Sequence, residues 1–186
     1  ADIDRAVEAA VTARFTNCGQ ICTCNERMYL HRAIAEEFLA KLVARAGALT
    51  IGMPLGSPDL GPKICRAEVD KVAAITDASI AAGAEVRLRG GPLREGAFAR
   101  GHWMAPTVLV APRNDLPVMQ DEVFGPVVAA MAVDDFEQAL TLANETAYGL
   151  SALVWTNDRR RLMAVARHLN FGEMYCNRAN GEQVQG

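Results

Sequence analysis

Apolar residues recur at helical spacing over much of the chain and alternate in short runs elsewhere. Ile3, Val7 and Val11 fall four apart behind Asp2 and Asp4, the pattern of an amphipathic helix with acidic residues near its N-terminus. Met28 and Leu30 alternate with Tyr29 and His31, a short strand signal. Phe38, Leu39, Leu42 and Val43 mark a second helix closed by Gly47. A Gly- and Pro-rich loop covers 52–62, and the next helix carries Val69, Val72, Ala73, Thr76 and Ile80 on one face and stops at Gly83. Residues 85–88 predict a strand ending at Gly90-Gly91, an irregular stretch follows, and 107–110 predict another strand. Residues 127–133 read as a buried strand, and Phe136, Ala139, Leu140 and Ala143 as a helix. A strand at 151–156, a helix carrying Leu162, Val165, Ala166 and Leu169, and a strand at 174–176 complete the alternation. Strands alternating with amphipathic helices predict an α/β layer fold with a mostly parallel sheet. With no internal repeat or low-complexity linker, one domain is expected.

Composition narrows the class. The 186 residues are 51% hydrophobic and 22% charged, with net charge −3, an ordinary soluble globular balance. No basic run suits nucleic acid; Arg159-Arg160-Arg161 opens a helix and reads as a solvated face. No apolar run approaches membrane-spanning length, and the N-terminus lacks a signal-peptide pattern. Five cysteines (18, 22, 24, 65 and 176) are odd in number and irregularly spaced, which argues for reduced thiols and a cytoplasmic location. The ends, Ala1-Asp2 and Gln185-Gly186, read as cut from something longer.

The densest chemistry is Phe15-Thr16-Asn17-Cys18-Gly19-Gln20-Ile21-Cys22-Thr23-Cys24-Asn25-Glu26-Arg27, a polar break between a helix and a strand. A thiol at such a junction can meet substrate, and a helix N-terminus there would lower its pKa. Gly19 permits a tight turn that brings N–H groups near Cys22 to a bound carbonyl, where they would stabilise an oxyanion. The competing readings are three small buried residues or a metal site, although Cys-x3-Cys-x-Cys lacks a partner pair at zinc spacing. His31, His102 and His168 show no triad spacing and read as surface or packing residues.

A second constellation, Asp121-Glu122-Val123-Phe124-Gly125-Pro126, lies between predicted strands, at a sheet end. An acid there can accept hydrogen bonds from a ribose diol, and an aromatic two residues on can pack against a flat ring. Alone it reads equally as a surface acid and an apolar plug beside a turn.

Together the two segments resemble the aldehyde dehydrogenase superfamily: F-x-N-x-G-Q-x-C with Arg five residues after the Cys, then E-x-F-G-P. Further matches are Gly83-Ala84 before Gly90-Gly91, Ala105-Pro106-Thr107-Val108-Leu109, Ala143-Asn144 before Tyr148-Gly149-Leu150, and Gly172 before Asn177. The resemblance covers essentially the whole chain. It implies a three-layer α/β/α catalytic domain over 1–186, with Cys22 as nucleophile and Cys18 and Cys24 flanking it. It also implies Glu122 on the nicotinamide ribose, Phe124 beside it, and Ile21, Thr23 and Asn17 in the substrate pocket, with no metal. The implied cofactor is NAD or NADP, with NAD favoured. The implied partner is a small aldehyde, not nucleic acid or membrane, and the parent is expected to be a homodimer or homotetramer. Cys22-x-Cys24 and Asn177-Arg178-x-Asn180 look most like the lactaldehyde and glycolaldehyde branch.

The family's glutamate base, oxyanion asparagine, dinucleotide-binding domain and oligomerisation strand have no match here, so the chain is expected to fold but not to complete the reaction alone. Two alternatives stand beside this reading: a cysteine-dependent acyl transferase or hydrolase, and a non-catalytic thiol- or metal-binding module.

Overall fold

The computed structural model describes residues 2–179; Asn180 lies outside them. Asp2 starts the first helix by accepting the Arg5 N–H at 3.1 Å, satisfying one of the donors a helix N-terminus leaves free. Helix α1 (Ile3–Phe15) is followed by a tight turn at Thr16–Gly19, strand β1 (Arg27–His31) and helix α2 (Arg32–Gly47). Helix α3 (Arg66–Ala81) leads to β2 (Glu85–Leu88), β3 (Gly91–Leu93), β4 (Trp103–Ala105) and β5 (Thr107–Val110). Then come α4 (Pro117–Gln120), β6 (Val127–Val133), α5 (Phe136–Asn144), β7 (Ser151–Val154), α6 (Arg159–His168) and β8 (Glu173–Cys176).

The main sheet has the order β1-β6-β5-β2. Strands β1 and β5 run parallel to the central β6, and β2 is antiparallel at the edge. The unbroken apolar run of β6 follows from coverage on both faces. Val128 and Ala130 pack with Met28 and Leu30 against α1 and α2, through Val7, Val11, Phe38 and Leu42. Val127 and Ala129 join Leu109 on the opposite face, against Val69 and Val72 of α3 and Val118 and Met119 of α4. These two cores make the expected three layers. Leu42 is fully buried, so truncating it to Ala would cost about 2–5 kcal/mol.

Strands β7 and β8 pair in parallel as a separate two-stranded sheet. The stretch expected to be irregular instead contains the antiparallel ribbon β3–β4, registered Gly91↔Ala105 to Leu93↔Trp103. Three-residue strands, one containing Pro92, carry too little alternation to register as a sequence pattern. Helix α4 was also absent from the pattern. It is a single turn, held where the Val118 N–H donates to Ser79 Oγ at 2.9 Å.

Candidate active site

Past Phe15 the chain reverses through three consecutive left-handed residues: Asn17 (φ 52°), Cys18 (φ 57°) and Gly19 (φ 71°). Glycine takes this conformation freely, asparagine tolerates it, and cysteine resists it. A Cβ at Gly19 would also run into the Gly125 carbonyl, so this turn has room only for glycine. Gln20 fixes the next step, donating to Asn17 O at 3.0 Å and Pro62 O at 3.3 Å and accepting the Ile64 N–H at 2.9 Å. The Cys24 N–H then donates to Ile21 O at 2.9 Å, closing a turn with Cys22 and Thr23 at its tip. Neither the Cys22 nor the Thr23 N–H has an acceptor among the described residues.

This turn separates the three thiols. Cys22 is exposed, while Cys18 and Cys24 are buried. Burial pushes the Cys18 thiol up to about 11, against the opposing pull of Lys63 and Arg14. Burial also raises Cys24, whose thiol lies 3.9 Å from Thr16 O. The segment lies between a helix and a strand, as its polar break predicts. The preceding helix ends at Phe15 and the segment runs on into β1, so no helix begins at Cys22.

The second segment links α4 to β6. Phe124 adopts φ 56°, an unusual conformation for an aromatic residue, and both of its peptide groups are held. Its N–H donates to Glu26 Oε1 at 3.2 Å, and its carbonyl accepts from Lys63 Nζ. Its ring lies 5.7 Å from Lys63 Nζ and 5.8 Å from Lys71 Nζ, within cation–π range. Burial lowers the Lys63 pKa, countered by Cys18 and Glu68. Gly125 packs so tightly on α3 that a Cβ would stand 2.6 Å from Val72 Cγ2.

Between the two segments sits Arg14, fully buried. Its Nη1 lies 2.8 Å from Glu26 Oε2 and donates to Asn25 O at 3.1 Å. Its Nη2 donates to Gly19 O at 3.2 Å and to Gly125 O. Sequence reasoning missed Arg14, Glu26 and Lys63. Arg14 did leave a signal, because it follows Val11 by three positions and continues the buried face of α1. Glu26 and Lys63 left none.

Cys22 and Glu122 line one cleft of about 460 Å³ that continues along β1 and β7. Asn17, Ile21, Thr23 and Phe124 are not part of its lining; Asn17 is exposed, and the other three are half-buried. The Glu122 N–H donates to Tyr148 Oη at 3.4 Å, and the Glu122 carboxylate has no hydrogen bond or ion pair among the described residues. An exposed, unpartnered carboxylate on the cleft that holds the exposed thiol suits the donor pair of a ribose diol.

Other predicted positions are joints. Arg27 donates to Met119 O at 3.4 Å, tying β1 to α4. Asn144 donates to His168 O at 2.7 Å and accepts the Asn170 N–H at 2.9 Å. Asn177 brackets Thr156, accepting its N–H and donating to its carbonyl, both at 3.0 Å. His31 accepts the Ala33 N–H at 3.2 Å at the start of α2. No group of three or more His, Cys, Asp and Glu side chains converges on a metal position among the described residues.

The chain resembles several dehydrogenases along its whole length. It is 43% identical to a 3,6-anhydro-alpha-L-galactose dehydrogenase of Streptomyces coelicolor, over 100% of this chain and 38% of that protein. It is 36% identical to a lactaldehyde dehydrogenase of Escherichia coli, again over 100% of this chain and 38% of that protein. A solved structure of 3,6-anhydro-L-galactose dehydrogenase in complex with NAP superposes with TM-score 0.95 at 37% identity, covering 100% of this chain and 39% of that one. The chain therefore spans about two fifths of the length of these relatives. The profile of the aldehyde dehydrogenase family matches residues 1–186, and the chain belongs to that family.

Proposed function

We propose that residues 1–186 are the catalytic domain of an NAD(P)-dependent aldehyde dehydrogenase with Cys22 as its nucleophile. One observation carries the assignment: of three clustered thiols only Cys22 is exposed, at the tip of a turn on a cleft it shares with Glu122. The Cys22 thiolate adds to the aldehyde carbon, forming a C–S bond and an oxyanion. The free N–H groups of Cys22 and Thr23 are placed to hold that oxyanion. When bound, the nicotinamide coenzyme supplies the hydride acceptor that allows a thioester to form. Water then cleaves the thioester to a carboxylic acid and the free thiol. Glu122 holds the coenzyme ribose through its unpartnered carboxylate; Phe124, whose ring lies by Lys63 and Lys71 and off the cleft, is assigned to the coenzyme by the family resemblance alone. Ile21 and Thr23, either side of Cys22, and Asn17 on the preceding turn lie off that cleft and are assigned to the aldehyde by the family resemblance alone.

The names of the relatives favour a hydroxylated aldehyde, of the anhydro-sugar or lactaldehyde kind. The five unpaired cysteines suit a reducing compartment such as the cytoplasm. The base that activates water is assigned to residues outside this chain, so the isolated chain is expected to be inactive. The test supplies the whole protein with small hydroxyaldehydes and NAD+ or NADP+, and follows reduced coenzyme and carboxylic acid together. Both should form, and Cys22→Ser should abolish both. Acyl or ester turnover without coenzyme reduction would favour the acyl transferase or hydrolase reading, and activity surviving Cys22→Ser would remove the nucleophile assignment.

A further inference from the structure

Buried charges outside the proposed reaction are concentrated at one place, the contact between the two active-site segments. Arg14 is completely enclosed, and the Glu26 side chain is only 18% exposed. A pair of this kind is seldom required for stability, because well-packed apolar residues of similar volume commonly serve as well. Its arrangement of bonds is more specific than an apolar plug could provide.

Arg14 grips Gly19 and Asn25, three residues before and three after Cys22. It also grips Gly125, while Glu26 holds the Phe124 N–H, so the pair anchors the segment two and three residues after Glu122. Both anchored segments contain non-glycine residues at positive φ, Asn17 and Cys18 in one and Phe124 in the other. Such conformations persist where the surroundings over-determine them, and they concentrate at sites that switch or pre-organise. The planar guanidinium offers its donors in a fixed fork, so displacement of either segment is transmitted to the other.

We propose that Arg14 and Glu26 are positioning residues that couple the grip of Glu122 on the coenzyme ribose to the placement and reactivity of Cys22. This rests on the roles given above to Cys22 and Glu122. Coupling of two sites is reciprocal, so ligation at Glu122 changes the Cys22 thiol even when nothing touches the sulfur.

The test uses the whole protein, iodoacetamide as the thiol probe and ADP-ribose as the ligand, which offers the ribose diol without the nicotinamide ring. In the wild type, saturating ADP-ribose should change the Cys22 alkylation rate by about fivefold or more, the lower end of usual couplings. In Glu26→Gln, which keeps the shape and an acceptor for Phe124, the ratio should fall toward one. In the double variant Arg14→Met/Glu26→Leu, which leaves no unpaired charge, it should be lost. A purely structural pair would lower Tm and shift both alkylation rates alike, leaving the ratio unchanged; that result overturns the coupling. If the double variant does not fold, an unchanged ratio in Glu26→Gln overturns it equally. Binding of ADP-ribose by calorimetry without any wild-type rate change sinks the coupling alone. Absence of binding sinks the ribose role of Glu122 and the coupling with it.

Discussion

The three clustered thiols should differ in reactivity by more than their shared loop would suggest, and Cys18 gives the magnitude. Its pKa is pushed from the usual 9.0 to about 11, so near pH 8 about one molecule in a thousand carries the thiolate, against about one in ten for an unshifted thiol. That is about a hundredfold deficit in nucleophile. A more basic thiolate is intrinsically more reactive, with a Brønsted slope of about 0.4–0.5, which returns about tenfold over two pKa units. The chemistry alone therefore leaves Cys18 about tenfold slower than an unshifted thiol. Complete burial adds the requirement that the turn at 16–19 open before reagent can enter.

The assay is time-resolved alkylation with iodoacetamide near pH 8, with peptide mapping of each cysteine. Cys22 should react first, with Cys18 and Cys24 slower by well over tenfold. In guanidinium chloride, where burial is gone, the three rates should converge to within about twofold. Cys18 reacting as fast as Cys22 in the folded protein would refute the reasoning, because burial could then be neither suppressing ionisation nor blocking access.

The same thiol makes stability depend on pH. The unfolded chain releases the Cys18 proton near 9.0 and the folded chain near 11, so this contribution is full below pH 9 and lost as pH rises to 11, about 2.7 kcal/mol for two units. The lowered pKa of Lys63 acts in the opposite sense over its own range, so the measurement is the difference in urea stability between wild type and Cys18→Ala across pH 8–11, and a constant difference rules the effect out. Gly19→Ala meets both the φ of 71° and the Gly125 carbonyl; a loss of about 2–4 kcal/mol is expected, and an unchanged Tm would show that the turn has another way to close. Glu122→Ala removes an exposed, unpartnered carboxylate, so Tm should hold within about a degree while coenzyme affinity of the whole protein falls about tenfold. A matching loss of Tm would mark Glu122 as structural instead.

The elements legible in the sequence were those whose burial is periodic or unbroken. The run at β6 is apolar because both of its faces are covered, and the four-residue spacing of Val7 and Val11 reflects one covered face of α1. Cys22 and Glu122 were singled out as candidates by the short segments that carry them, and both line one cleft. Which thiol is exposed was not legible, because Cys18, Cys22 and Cys24 share a polar neighbourhood and only the closed turn at 21–24 sorts them. The position of Arg14 on the buried face of α1 was legible but its role was not: its partner Gly125 lies 111 residues further on, and an arginine at a helix end ordinarily reads as solvated. Phe124 gave no warning of its positive φ, since the residue type argues against it.

This points to a division of labour between the two motifs and the charges behind them. Cys22 and Glu122 carry the proposed chemistry, yet the segments that hold them contain backbone conformations that isolated segments would not keep. Asn17, Cys18 and Phe124 each stand in a region that costs about 1–2 kcal/mol for a side-chain-bearing residue. Charge-assisted bonds from Arg14 to Gly19 and Gly125, and from Lys63 to Phe124, are of the size needed to offset that. They act on the carbonyls of the strained segments themselves. A chain with both motifs intact but an apolar residue at 14 alone would leave the Gly19 carbonyl without its donor, the Gly125 carbonyl with only the Val127 N–H, and the Glu26 carboxylate with only the Phe124 N–H. Such a chain would keep every residue of the proposed chemistry and lose bonds that join the segment of Cys22 to the segment of Glu122.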